Sequence, residues 1–344
     1  MGDRTAIRVM QSFGAPRETS NPYIHMLDEA LRTTPGIEHI RFDRRRALVG
    51  RYDVLHLHWP ETLLGGRTAP RRAARRLYLT ALVTRLRLSR VAVVRTLHNV
   101  ELPTLDSAWE RALLRAIDRR ADLQIQLNQQ THTREGVASA VIVHGHYRDW
   151  FDAVAPIAAT TNTLAFVGLV RRYKGVENLI EAFSATRTTM PEWTLRIAGN
   201  ATSADLASEL TTSVADDERI TMDLRYLSEE DFARTVMASA GVILPYRFMH
   251  NSGTALAALS LTRPVLVPRN DVNTSLAEEV GPGWVHQFEG SLKPADIAAF
   301  AAELSRGVPP EPPRLAEREW AEVGARHRDA YARAVRHRRN SHDD

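Results

Sequence analysis

The chain has 344 residues, which suits two domains better than one core. Its 44% hydrophobic and 25% charged residues are those of a globular protein, and the absence of cysteine excludes disulfides, thiolate metal sites and a cysteine nucleophile. The formal charge of +4 is unevenly spread: eight arginines and no acid lie between Arg67 and Arg90, with Arg41, Arg44, Arg45, Arg46 and Arg51 upstream. Such a face points to a polyanion, a nucleic acid or an anionic membrane, or else to a solvated helix in an arginine-rich chain. No run approaches the roughly 18 apolar residues of a membrane span, and the N-terminus enters a strand without a signal-peptide pattern, so cytoplasmic residence is expected.

In chain order, Ala6 to Met10 reads as a strand. Asn21-Pro22 fits a cap and first-turn proline for a helix from Tyr23 to Arg32, with Ile24, Leu27 and Leu31 on one stripe. Strands are expected at Glu38 to Phe42 and Val54 to His58. Arg71 to Leu88 is a basic amphipathic helix in which leucines and arginines interleave. Val91 to Thr96 is a run of β-formers that delivers His98, Asn99 and Glu101 at its carboxyl end. A helix from Ser107 to Arg120, a strand from Leu123 to Leu127, a turn or short helix from Thr131 to Gly136 and a strand from Ala140 to Val143 follow. Trp150 to Asn162 loses periodicity and reads as a linker.

The second half repeats the alternation. Strands are expected at Thr163 to Val167, Thr194 to Ala198, Ile220 to Asp223, Gly241 to Leu244 and Pro264 to Val267. Helices are expected at Val176 to Thr186 and Leu206 to Thr212, then from Ser228, at Ser252 to Leu261 and at Glu317 to His337. This rhythm argues for an α/β protein of two open parallel sheets with a cleft between them.

In such sheets ligands bind at the carboxyl ends of strands. One stretch there is FVGLVRRYKG, residues 166–175: a buried strand, a break at Gly168, then Arg171, Arg172 and Lys174 before a helix. The chain has only two lysines, Lys174 and Lys293, so this one looks chosen for an anion. Gly199-Asn200, Arg225-Tyr226, Tyr246-Arg247 and Asn251-Ser252-Gly253-Thr254 lie at other strand ends, the last opening a helix whose N–H groups suit a phosphate. Two anion-binding elements in one half suggest a diphosphate, hence a nucleotide-linked donor. The first half gathers His56, His58 and Glu61, then His98 and Glu101, then His144 and His146. A histidine with a carboxylate as general base is the first reading and a metal site the second, since no HExxH or metal-binding DxD occurs. For any single histidine, a hydrogen-bonded structural role competes.

FVGLVRRYKG, LRIAGN, RYLSEEDFARTVMASAGVILPYR and SGTALAALSLTRPVLVP together resemble the donor-nucleotide half of the GT-B glycosyltransferases, and the resemblance extends over nearly the whole chain. It implies two Rossmann-like domains, 1–155 for the acceptor and 156–315 for the nucleotide sugar, with 316–344 as a helix returning to the first domain and a polar tail. It places the diphosphate on Lys174 and Arg171 and a histidine, His98 of TLHN, beside the donor sugar. Two departures stand out. Leu169 occupies a position that is more often arginine in the family. The paired glutamates of the large retaining branch, one of them on the nucleotide ribose, fall on Met249 and Ala257.

HLHWPE with LPYRFMHNSGTALAALS resembles bacterial exopolysaccharide mannosyltransferases of the GDP-mannose:glycolipid β-mannosyltransferase type. That resemblance implies an inverting, metal-independent transfer from a nucleotide-diphosphate sugar, GDP-mannose ahead of a UDP-sugar, to a lipid-linked saccharide at the inner membrane face. Glu61 is then the expected base ahead of His98, with His58 beside them, and the helix of residues 71–88 meets anionic lipid peripherally. A retaining transferase and a non-catalytic nucleotide-sugar-binding assembly protein are the alternatives. A nucleic-acid partner is not expected, because no aromatic platform or binding module accompanies the arginines.

Overall fold

A computed structural model of the chain describes residues 6–17, 20–66, 68–98, 107–214 and 216–343. Of the positions singled out above, Arg67, Asn99 and Glu101 lie outside the described residues. The chain divides into two compact units, Met1–Gly145 with Glu317–Asp344, and His146–Ala316. The division falls after Gly145, ahead of the expected 155.

In the first unit, strands β1 (Ile7–Gln11), β2 (Ile37–Ile40), β3 (Val54–Leu57), β4 (Ala92–Leu97), β5 (Leu123–Gln126) and β6 (Ala138–Val141) alternate with helices α1 (Pro22–Thr33), α2 (Arg44–Val49), α3 (Ala69–Leu88) and α4 (Ala108–Arg120). They form one parallel sheet in the order β2-β1-β3-β4-β5-β6. The Asn21 side chain caps α1 by accepting from the Tyr23 N–H, and Leu27 and Leu31 are fully buried along the expected stripe. Helix α2 has no counterpart among the expected elements, because three consecutive arginines hide its short period. Asp43 caps it by accepting from Arg46 N–H.

Helix α3 turns its apolar stripe inward. Leu79, Leu82, Val83 and Leu86 join Leu55 and Leu57 of β3 and Leu113, Leu114 and Ile117 of α4 in one core. Its arginines are partly committed as well: Arg76 pairs with Glu110 at 2.9 Å, and Arg85 donates to the carbonyls of Ala47 and Gly50 at 2.6 Å. A helix whose apolar face covers a sheet has no such face left to insert between lipids. What it exposes is an arginine surface that includes Arg71, Arg72 and Arg87, with Leu77 and Leu88 standing out from it.

The second unit opens with a short helix α5 (Arg148–Phe151), which overlaps the start of the stretch expected to be linker. Strands β7 (Thr163–Val167), β8 (Thr194–Ala198), β9 (Ile220–Asp223), β10 (Gly241–Ile243), β11 (Val265–Pro268) and β12 (Val285–Phe288) alternate with α6 (Val176–Ser184), α7 (Ala204–Ser213), α8 (Glu229–Ala238), α9 (Gly253–Ser260), α10 (Asp271–Val280) and α11 (Pro294–Ser305). The sheet is parallel, in the order β12-β11-β10-β7-β8-β9. Helices α10 and α11 and strand β12 extend the expected set. The last helix, α12 (Trp320–Asp343), belongs to the first unit, where Tyr331 and Ala334 are fully buried and Arg338 donates to the carbonyl of Ser89 just beyond the end of α3.

Both strand orders reverse direction beside the first strand of their sheet, between β1 and β3 and between β7 and β10. The carboxyl ends of two neighbouring strands there lead to opposite faces and leave a crevice, which is where open α/β sheets bind ligands.

Candidate active site

At the β7/β10 crevice of the second unit, the loop after β7 and the loop after β10 are locked together. Arg247 N–H donates to the Tyr173 carbonyl at 2.9 Å, and Gly175 takes the left-handed backbone (φ 67) against Pro245, whose carbonyl oxygen stands 2.3 Å from where a side chain would begin. Lys174 is buried, with its ammonium 4.8 Å from the centre of the Tyr246 ring. Among the described residues no carboxylate pairs with it, and the buried Tyr246 hydroxyl has no hydrogen-bond partner. A buried cation without a counter-ion is costly, and a bound anion would remove that cost.

The same point is approached from a second direction. A Cβ built on Gly168 would lie 3.7 Å from Lys174 Nζ and 3.5 Å from Thr254 Oγ1, so ammonium and hydroxyl converge over a glycine that leaves the space open. Thr254 sits in the first turn of α9, capped by the Ser252 hydroxyl, which accepts from Ala255 N–H at 3.2 Å. The N–H groups at that helix start add positive potential. Beside it, Gly199 (φ 139) has the Gly168 carbonyl 2.0 Å from its Cβ position, so any side chain there would push the two strand ends apart.

The structure thus gathers Gly168, Lys174, Gly199, Tyr246, Ser252, Gly253 and Thr254, with Asn200, Asn251, Arg171 and Arg247 on the adjoining surface. Arg172 is drawn away by Glu209, at 2.8 Å. Arg225, at the end of β9 beside the exposed Tyr226, is held between Asp223 at 3.1 Å and Asp231 at 2.8 Å, so its charge is already compensated.

In the first unit the β1/β3 crevice carries the histidines. His58 N–H donates to Ser12 Oγ at 3.0 Å, tying the loops after β1 and β3. His58 Nδ1 lies 3.1 Å from His98 Nε2, and its Nε2 lies 3.1 Å from Gln11 Oε1. Deeper in, His56 contacts the Tyr331 hydroxyl and Thr96 Oγ1, both at 2.8 Å. Trp59 stacks on His98 with ring centres 3.9 Å apart, and Glu61 follows in a 3-10 turn (Pro60–Leu63) that a first-position proline starts.

Tyr23 sits 5.4 Å from His98 and 4.6 Å from His144 between ring centres. Gly145 admits Trp320 of α12, whose ring would stand 2.4 Å from a Cβ there. His146 falls in the second unit and Glu101 outside the described residues.

Burial governs the electrostatics. It holds His56 and His58 well below the ordinary histidine value, with neighbouring imidazoles adding to the effect. Burial, then His144 and Arg95, bring His98 down to about 3, and burial brings His144 and His327 to about 4. These rings are neutral near pH 7 and work as hydrogen-bond partners. Gln11, Tyr23, Trp59 and Tyr331 escaped the sequence reading. Their signal was positional, since Gln11 ends β1 and Trp59 sits within HLHWPE, but Tyr331 joins the cluster only because α12 packs on this unit.

A family model described as glycosyl transferases group 1 matches residues 161–307, which contain the whole second-unit site. Two proteins of Xanthomonas campestris pv. campestris, both named GDP-mannose:glycolipid 4-beta-D-mannosyltransferase, are 40% identical over 331 residues, covering 96% of this chain and 93% of theirs. Among solved structures, Anabaena HepE in complex with UDP superposes with a TM-score of 0.60 at 12% identity, covering 98% of this chain and 100% of its own. Sucrose-phosphate synthase from Thermosynechococcus elongatus does so with a TM-score of 0.59 at 14% identity and 98% coverage of each chain. These two likenesses carry the fold, and the 40% identity carries the family. The chain therefore belongs to the GT-B glycosyltransferases, alongside these mannosyltransferase relatives, and is a hexosyltransferase.

Proposed function

We propose that the chain moves a mannosyl group from GDP-mannose to the saccharide of a lipid-linked acceptor, with inversion and without a metal ion. The carrying observation is the buried Lys174, which no carboxylate among the described residues pairs with and which shares its space with Thr254 at the start of α9. The donor and acceptor classes follow the relatives' printed name at 40% identity.

In the proposed reaction the Glu61 carboxylate takes the proton of the acceptor hydroxyl, whose oxygen attacks the anomeric carbon. The bond from that carbon to the β-phosphate oxygen breaks, and its electron pair leaves on GDP. Lys174, Arg171 and the N–H groups of α9 stabilise the charge that develops there. Support for Glu61 comes from its place on the 3-10 turn that directly follows Trp59, the ring stacked on His98. Support for inversion over retention comes from Met249 and Ala257, buried apolar residues where the retaining branch carries glutamates. The exposed arginines of α2 and α3 would hold the enzyme against anionic lipid at the inner face of the cell membrane, in exopolysaccharide assembly. No helix among the described residues is long and apolar enough to cross a membrane.

The test is calorimetric titration with GDP, UDP and ADP in EDTA, on wild type and Lys174→Ala. Metal-independent binding of GDP, weakened roughly 30- to 100-fold in the variant, is the expected result. Binding that needs a metal, or that ignores Lys174, would defeat the donor-site reading.

A further inference from the structure

The histidine cluster of the first unit contains more order than the proposed reaction uses. Five contacts join into one chain of hydrogen bonds through fully or almost fully buried side chains, ending at the partly exposed His98. Gln11, His56 and Tyr331 are 0% exposed, Thr96 1% and His58 2%. In such a place each polar atom must be matched, donor to acceptor. A neutral imidazole has one N–H and one lone pair, so setting one nitrogen sets the other.

The Gln11 amide has the two ends that make the choice. Its Oε1, an acceptor only, faces His58 Nε2 at 3.1 Å, so that nitrogen must carry the proton. His58 Nδ1 is then an acceptor and receives the N–H of His98 Nε2 at 3.1 Å. The other end of the amide, Nε2, donates to the Tyr331 hydroxyl at 3.2 Å. That hydroxyl passes its own hydrogen to His56 Nδ1 at 2.8 Å, and His56 Nε2–H donates to Thr96 Oγ1 at 2.8 Å. Each of the five links then has one donor and one acceptor. Turning the amide over reverses every link and moves the His98 proton to Nδ1.

We propose that Gln11, oriented by Tyr331 of α12, is a positioning residue that fixes the tautomer of His98, with the proton on Nε2 and the accepting lone pair on Nδ1. The effect on turnover expected below rests on the proposed transferase reaction, through the place of His98 beside Trp59. The tautomer itself does not. His58 is thereby a relay, since both of its ring nitrogens are engaged. Helix α12, from the far end of the chain, contributes to the site through the Tyr331 hydroxyl.

The experiment is ring nitrogen-proton correlation spectroscopy of protein labelled with 15N-histidine at pH 7.5, the His98 signals being assigned by their loss in His98→Gln. Wild type is expected to show His98 protonated on Nε2 alone. Gln11→Leu removes both ends of the amide and is expected to give a mixture of tautomers, with kcat reduced roughly 10- to 100-fold and GDP affinity unchanged. Gln11→Glu keeps an acceptor facing His58 and is expected to retain the Nε2 form. If Gln11→Leu does not fold, Tyr331→Phe reads the same signal, since the amide loses the partner that orients it.

A proton on Nδ1 in wild type would overturn the proposal, and so would a single unchanged tautomer in Gln11→Leu or, in its place, Tyr331→Phe. The spectra need no substrate. Finding the expected tautomer in a protein that fails to transfer mannose would count against the function and uphold the role of Gln11.

Discussion

Acid should unfold the first unit well before the second. Burial depresses His56, His58 and His327 in the folded state, and His98 and His144 are mostly buried and depressed as well. The unfolded chain returns each to an ordinary value of about 6.5, so below that pH it binds more protons than the folded protein does. Stability therefore falls as pH drops from about 6.5 towards the folded values near 4 and 3. Between pH 7.5 and 5.5 each such histidine costs between about 1 and 2 kcal/mol. The three fully buried rings together cost about 4 kcal/mol, and the other two raise that towards about 7 kcal/mol.

A domain has about 5–15 kcal/mol in all, so most of the margin would be gone by pH 5.5. Carboxylates held down by partners, such as Asp28 beside Arg41 and His39, lose their contribution only at lower pH and do not blur this window. In the second unit a depressed histidine is His250, only partly buried. Urea unfolding at pH 7.5, 6.5 and 5.5, with hydrogen exchange followed by mass spectrometry to separate the units, measures the effect. Equal protection of the first unit at pH 7.5 and 5.5 would refute the picture of neutral, desolvated imidazoles.

Other predictions concern single sites. Gly199→Ala should destabilise the second unit by about 3 kcal/mol or more, because its Cβ would lie 2.0 Å from the Gly168 carbonyl oxygen. Gly290→Ala, also at positive φ but with nothing within 4 Å, should cost only about 1 kcal/mol, and equal urea midpoints for the two variants would contradict the argument. Glu61→Gln should lower kcat roughly 10²- to 10⁴-fold with GDP affinity intact, and more than His98→Ala does; near-normal turnover in Glu61→Gln with loss in His98→Ala would exchange their roles. Changing Arg71, Arg72 and Arg87 together to Gln should weaken binding to anionic vesicles by up to about 3 kcal/mol while leaving the melting temperature within a few degrees. Unchanged vesicle binding would remove α3 from the membrane reading.

Local chemistry made much of this protein legible as text. Strand runs such as Val91 to Thr96 announce burial by composition, Asn21-Pro22 announces a helix start by its capping geometry, and a lysine after VRRY in a chain with two lysines announces an anion. These signals act between neighbours, so they survive without knowledge of the fold. The elements that escaped, α2, α5, α10, α11 and β12, are short or mixed in polarity, and packing rather than periodicity makes them.

The direction in which a side chain faces was decided elsewhere. Helix α3 reads as a basic amphipathic helix by its pattern, and Leu79, Leu82, Val83 and Leu86 cover a sheet, because the core of the first unit needed that face. The histidines were visible one by one, but their order as a relay depends on Gln11 and on Tyr331, 320 residues apart in the chain. The sequence by itself determined which groups are present and which strands carry them. Only the tertiary structure decided the strand order, which sets Lys174 beside Thr254 at one crevice and His58 beside Ser12 at the other. Contacts between residues distant in sequence are settled by burial and by matching donors to acceptors, and neither can be read along a line.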